Sequence, residues 1–329
     1  NECRKKGPDF INEVEMKLAP DVAGRVEGIV GPPGIAPIIR ELEEKFGSRE
    51  VVAFEITKMI GAQEIETGLE LEERIEQAVR TGLAIYTEGV LVAPTEGISS
   101  VKLKDNVDGT KYIEINFAGP IRSAGGTAAA VTVLLADYLR KHLKLGEYNA
   151  DDRELDRYVE EINLYNRITR LQYLPKDEDV KLIFKNCKIC INGDPTESEE
   201  VSVYRDLPRM KTNRVRSGVA LVSCEGIALK ARKIVKFGKK FELDWDWLKA
   251  TIKEKKSDSG AVEVKPNPTF MDGDVAGRPI FSFPSAKGGW RLRYGRTRIT
   301  GIASKAIHPA CMVLLDEFTA LGTQLRIER

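Results

Sequence analysis

Three stretches of this chain carry residue types and spacings that could do chemistry. In "FAGPIRSAGGTAAA", residues 117–130, Arg122 and the glycines 119, 125 and 126 lie between a strand-like run and a helix-like one. A glycine-rich turn that opens a helix can hold an anion, because first-turn N–H groups are unpaired and the helix dipole is positive there. Arg122, Gly125, Gly126 and Thr127 are the candidate anion contacts. The standard nucleotide fingerprints fail, since Gly119 and Gly125 are one residue too far apart for a G-x-x-x-x-G-K-[ST] loop and Gly126 stands where its lysine belongs. A tight turn that packs backbone on backbone is the competing reading.

The second stretch, "GGWRLRYGRTR", alternates Trp290, Leu292 and Tyr294 with Arg291 and Arg293, and Arg296 and Arg298 continue the row. Arginines this close repel one another unless anions or acidic side chains neutralise them, and their planar forks match phosphate. These four are the candidate nucleic-acid contacts, with an acidic neighbouring surface as the other reading. In the third stretch, "NCKICING", Cys187 and Cys190 have the spacing of half a zinc ribbon. No second C-x-x-C is present, and His142 and His308 are not at ligand spacing, which favours a plain reduced pair. Ser-His-Asp chemistry finds no G-x-S-x-G motif.

The elements that must position these residues follow from the hydropathy period. Helical stripes run through Val22, Val26, Ile29 and Val30, then Ile35, Ile38, Ile39, Leu42 and Phe46, then from Ser48 onward, and a fourth helix extends to Gly89. "VKLKDNVDGTKYIEINF" reads as a hairpin about Asp108-Gly109, its second strand half-buried with Ile113, Ile115 and Phe117 inward and Glu114 and Asn116 outward. A helix follows Thr127, with further helices over about 152–166 and 177–186. "EVSVY" and "GVALVS" read as strands, followed by the basic helix "GIALKARKIVKFGKKF" and the tryptophan-bearing "LDWDWLKATI". The expected organisation is a helical unit over 1–95, a mixed α/β unit over 96–255, a polar linker over 256–274, and a basic β/α segment over 275–329.

The net charge of +1 conceals segregation. From Ala150 to Glu200 there are 13 acids against 8 Lys/Arg; from Leu207 to Phe241, ten Lys/Arg face the single acid Glu225; from Val275 to Leu315 there are seven Lys/Arg and no acid. Such a field attracts phosphates, or pairs with the acidic middle. No apolar run is long enough to span a bilayer, there is no signal-peptide core, and the five cysteines form no close framework, so a reducing, cytoplasmic setting without membrane contact is expected.

Together, "FAGPIRSAGGTAAA", "NCKICINGDPTESEEVSVYRDLPRMKTNRVRSGVALV", "EGIALKARKI", "GGWRLRYGRTR", "IHPACMVLLDEF" and "GTQLRIER" resemble, in order and spacing, the N-terminal part of the large subunit of archaeal family-D DNA polymerases. The resemblance covers most of the chain from about Val14. It implies an α+β fold, a helix-rich scaffold with small β-sheet elements that leads into the start of a β-barrel catalytic region. It also implies a heterodimeric polymerase with a small subunit carrying the 3′-5′ exonuclease, DNA as substrate, and Mg²⁺ held downstream of Arg329. On that reading the chain is a fragment, inactive alone. Asp272 and Asp274 in "MDGDVAG" mimic part of the family's metal-binding motif, but the first half of that motif is missing, so no catalytic residue is assigned. The alternative is a stand-alone phosphate- or nucleotide-binding enzyme built on the Gly119 to Thr127 loop.

Overall fold

The computed structural model describes residues 19–88, 93–106 and 108–252, together with the backbone of two short paired strands at 296–297 and 301–302. The described residues open with four helices: α1 (Val22–Ile29), α2 (Ile35–Phe46), α3 (Arg49–Gly61) and α4 (Leu71–Tyr86). Asp21 starts α1 by accepting the Gly24 amide at 2.8 Å, as an N-cap carboxylate should. Gly47, at φ 57°, ends α2.

A π-helical turn (Ala93–Gly97) then delivers the chain into β1 (Ile98–Asp105), which pairs antiparallel with β2 (Lys111–Phe117) across the expected turn. The register sets Val101 opposite Ile115 and Asp105 opposite Lys111. β3 (Cys190–Gly193) adds parallel to β2 on its other side, with Glu114 opposite Cys190. β2 is therefore the central strand and is buried on both faces, and this corrects the half-buried reading. Glu114 and Asn116 face other protein groups: Asn192 donates to Glu114 at 3.0 Å and Asn116 donates to it at 3.1 Å. The free edge of β1 is closed by α4, whose Glu76 and Glu72 accept the amides of Val101 and Leu103 at 2.9 and 2.8 Å. Exposed edge amides invite strand addition, and these two carboxylates remove them.

A 3₁₀ turn (Gly119–Ala124) leads into α5 (Gly125–His142), the axis of the molecule. Every residue of α5 from Ala128 to Arg140 is buried. A helix enclosed on all sides needs small residues where neighbours come close, and the run Ala128, Ala129, Ala130 supplies them. α6 (Asp152–Ile168) begins at a reciprocal capping box between Asp151 and Glu154, and α7 (Asp177–Asn186) precedes β3.

After a long loop the chain forms α8 (Ser217–Ala220), which runs straight into a π-helical segment (Leu221–Ala228). "GVALVS" is thus helical, which corrects the strand reading. A short apolar run buried all round has the same composition in either state. Here Gly218 decides it, because the helix packs so close to β2 that a Cβ there would lie 2.4 Å from the Phe117 carbonyl oxygen. "EVSVY" forms no strand beyond one bridge, Glu200 to Arg214, because Glu160 takes the amides of Ser202 and Val203 that a ladder would need. α9 (Ala231–Lys240) and a 3₁₀ turn (Asp246–Thr251) complete the described chain up to residue 252. One apolar core runs from Ala23 to Leu248.

Candidate functional site

The glycine stretch lies at the mouth of a cleft of about 900 Å³, between the start of α5, the start of α3 and the end of the π-helical segment. Gly125, Gly126 and Thr127 line it together with Arg49, Gln172, Glu225 and Lys230. Gly125 sits at φ 80°, a conformation that favours glycine. Gly126 packs against the π-helical segment so tightly that a Cβ would lie 2.1 Å from the Glu225 carbonyl oxygen. Gly125 thus answers a backbone conformation and Gly126 a close approach, and both leave the positive end of α5 directed at the cleft.

Arg122 reaches beneath this cleft. Its Nη2 is 2.7 Å from Glu225 Oε1, and the same oxygen accepts the Gln172 amide at 2.9 Å. Both side chains are almost fully enclosed, at 9% and 6% exposure. The Glu225 carboxylate therefore ties the π-helical segment to the turn through Arg122 and to the chain after α6 through Gln172.

The strongest cationic feature is α9. Its apolar stripe, Ala231, Ile234, Val235 and Phe237, is buried, and every other position except Gly238 is an exposed cation: Arg232, Lys233, Lys236, Lys239 and Lys240. Lys240 bonds Glu50 at 3.0 Å and Lys233 stands 5.7 Å from the Phe237 ring centre. The helix contains no acid. This face is held rigid from below and is one-signed above. The sequence pattern placed the nucleic-acid contacts elsewhere, although the ten cations against one acid over Leu207 to Phe241 were the available signal.

Of that other set, Arg296 falls on the short strand pair, of which the backbone alone is described, and Arg291, Arg293 and Arg298 lie outside the described residues. So do Asp272, Asp274, His308, Cys3 and Cys311. Cys187 and Cys190 are both buried, and the Cys187 thiol donates to the Ile189 carbonyl at 3.3 Å. Burial pushes Cys187 up to about 12, and Cys190 is driven well above its ordinary value by burial and by the charges of Glu114 and Glu154. A metal-binding thiol must ionise, and these surroundings oppose that. Among the described residues no three His, Cys, Asp or Glu side chains gather in a group that could hold a metal ion. The buried carboxylates are engaged instead: Glu154 by Arg209 at 2.8 Å, and Glu161 by Arg216 at 2.6 and 2.9 Å. Donors of this kind do not fit a pair of Mg²⁺ ions.

The family model described as "DNA polymerase II large subunit DP2, N-terminal" matches residues 1–254, and the one described as "DNA polymerase II large subunit DP2, central domain" matches residues 253–329. Among curated relatives named DNA polymerase II large subunit, that of Methanocella arvoryzae is 50% identical over 99% of this chain and 29% of its own length. Those of Archaeoglobus fulgidus and Thermoplasma volcanium are 49% and 45% identical, over 99% and 100% of this chain and 28% and 30% of their own lengths. The chain spans less than a third of these relatives.

Proposed function

The chain belongs to the DNA polymerase II large-subunit family, and from that membership we propose that it is the N-terminal scaffold of a template- and primer-dependent DNA polymerase and contacts the duplex backbone through α9. The observation that carries the contact is the outer face of α9, on which Arg232, Lys233, Lys236, Lys239 and Lys240 stand exposed with no acid in the helix. Phosphates at the surface of a duplex are recognised by such one-signed faces, and binding is driven by counterion release. The Arg291, Arg293, Arg296 and Arg298 row is assigned the same partner on its acid-free sequence surroundings.

In this reading the large subunit works in the cytoplasm with a smaller subunit that carries the 3′-5′ exonuclease. Carboxylates outside residues 1–329 would hold the Mg²⁺, and this stretch alone does not polymerise. Among the described residues no helix is long and apolar enough to cross a membrane. The stand-alone nucleotide enzyme built on the Gly119 to Thr127 loop is the weaker reading, because Glu225 already engages the Arg122 guanidinium.

The test is duplex binding by the complete large subunit against salt concentration. Replacing Arg232, Lys233, Lys236 and Lys239 by glutamine should flatten the slope of log K against log salt by roughly 0.9 for each phosphate that is no longer neutralised. The Arg291, Arg293, Arg296 and Arg298 quartet is tested in the same way. Slopes unchanged in both quartets exclude phosphate contact by either. Nucleotide-dependent thermal stabilisation that Arg122→Ala abolishes would favour the stand-alone enzyme.

A further inference from the structure

The acids that line the cleft before α5 are Glu50, Glu88 and Glu225, and each is already engaged by a cation. Arg49 bonds Glu88, Lys240 bonds Glu50 at 3.0 Å and Arg122 bonds Glu225 at 2.7 Å. The interior is thus close to neutral, although it is polar and, at about 900 Å³, falls in the usual range of ligand clefts, roughly 300–1,000 Å³. One part of its wall is aromatic: Tyr86, half-buried at the end of α4, is braced edge-on by the Phe237 ring of α9 at 6.2 Å. Another part is bare main chain, because Gly125 and Gly126 carry no side chain, and Ser123 and Thr127 beside them add hydroxyl groups. The first-turn N–H groups of a helix have no intrahelical acceptor and are available to a ligand. The wall is held in place, since Gly126 packs on the Glu225 carbonyl and the Glu225 carboxylate accepts from Arg122 and from the Gln172 amide.

A ring to stack on, hydrogen-bonding groups at hand and no net charge are what a flat, neutral heterocycle needs. The position of the cleft says where such a heterocycle would come from. Lys230 lines the cleft and is the residue at which α9 begins, so the rim continues into the cationic face of that helix. We propose that the cleft takes an unpaired nucleobase of the strand whose phosphates lie along α9. A free nucleotide shares the chemistry of the base but brings its own phosphate charge into an interior whose cations are spent on Glu50, Glu88 and Glu225. A base within a strand leaves its phosphates outside, on α9, where phosphate contacts position the strand and the base contact is made separately. The inference rests on the duplex-contact reading above and adds to it the place of the first base beyond the duplex end.

The experiment uses the complete large subunit and a duplex with a single-stranded thymidine overhang, compared by fluorescence anisotropy with the same duplex whose overhang is built of abasic residues. The wild type should favour the base-bearing overhang by about fivefold or more, the lower end of what one stacked base contributes. Ser123→Leu crowds the cleft from an exposed position and should bring the two affinities together with an unchanged unfolding midpoint. Tyr86→Ala should do the same, while Tyr86→Phe keeps the ring and the preference. Replacing Arg232, Lys233, Lys236 and Lys239 by glutamine should weaken both duplexes by the same factor and leave the preference in place. Equal wild-type affinities, or a preference that survives Ser123→Leu or Tyr86→Ala, overturns the base site, and the α9 reading is then judged by its salt slope alone. A deoxynucleoside monophosphate that stabilises the wild type but not Ser123→Leu, with no preference between the overhangs, assigns the cleft to a free nucleotide and also overturns it.

Discussion

Arg122 Nη2 lies 2.7 Å from Glu225 Oε1 in nearly complete enclosure, and that one contact joins the turn before α5 to a π-helical segment 103 residues further along the chain. Removing one partner of a buried ion pair strands the other charge, at a typical cost of about 3–5 kcal/mol. Arg122→Ala should lower the stability of the complete subunit by that order in denaturant unfolding. Glu225→Gln, which strands the Arg122 charge in turn, should cost a similar amount although it retains an acceptor for the Gln172 amide. Equal stability of Arg122→Ala and wild type would remove the pair from the fold's support.

Gly126 makes a second demand at the same turn. Its Cβ would have the Glu225 carbonyl oxygen at 2.1 Å, and backbone cannot swing aside as a side chain can. Gly126→Ala is expected to destabilise by about 1–3 kcal/mol through forced backbone displacement. Gly109→Ala in the β1–β2 turn meets open space and pays only for its φ of 79°, about 1–2 kcal/mol. Thermal denaturation of the two variants compares the causes, and the order reverses if crowding at Gly126 relaxes freely.

What could be read beforehand follows the range of the interactions involved. The hairpin and the helix at Asp177–Asn186 stand where the turn and the acidic first turn put them, because turn chemistry and charge at a helix end are local. The helix expected after Thr127 is present, but its enclosure was not foreseen, since burial on the remaining faces depends on what packs there. Glu114 looked solvent-facing because alternation reports period and cannot report a third strand arriving from residue 190. The same holds for Arg122, whose partner lies 103 positions away. The basic run at 230–240 was visible, yet its division into a buried stripe and a cationic face needed the packing of Phe237 and Ile234.

Among the described residues Glu161 is the sole carboxylate holding Arg216, through its backbone amide at 2.7 Å and its guanidinium at 2.6 and 2.9 Å, and it lies 3.7 Å from Arg157. All three side chains are at most 1% exposed. Glu161→Gln would leave Arg216 enclosed without a counter-charge and Arg157 with the charge of Glu160 alone, and a loss of about 3–5 kcal/mol is expected. The loop between β3 and α8 is clamped at the Thr212 carbonyl by Arg157, so amide exchange across 202–213 should quicken in the same variant. A Glu161→Gln protein with wild-type exchange in that loop would show that the clamp does not need the carboxylate.

The buried thiols set an alkaline limit. Burial raises Cys187 and Cys224 from 9.0 to about 12 in the folded chain. An acid whose folded value is raised stabilises the fold fully below its unfolded value, and that contribution is lost as pH rises towards the folded value. Stability measured by denaturant should therefore be flat in this respect up to about pH 8 and should fall between pH 9 and 12, with Cys187→Ala and Cys224→Ala together reducing the slope. Both thiols should also resist iodoacetamide at pH 8 until the chain unfolds globally, since the thiolate is the reactive species and neither sulfur is accessible. Peptide mapping after alkylation in rising denaturant reads this directly. Labelling of Cys187 well before the unfolding transition would mean that the turn between α7 and β3 opens on its own.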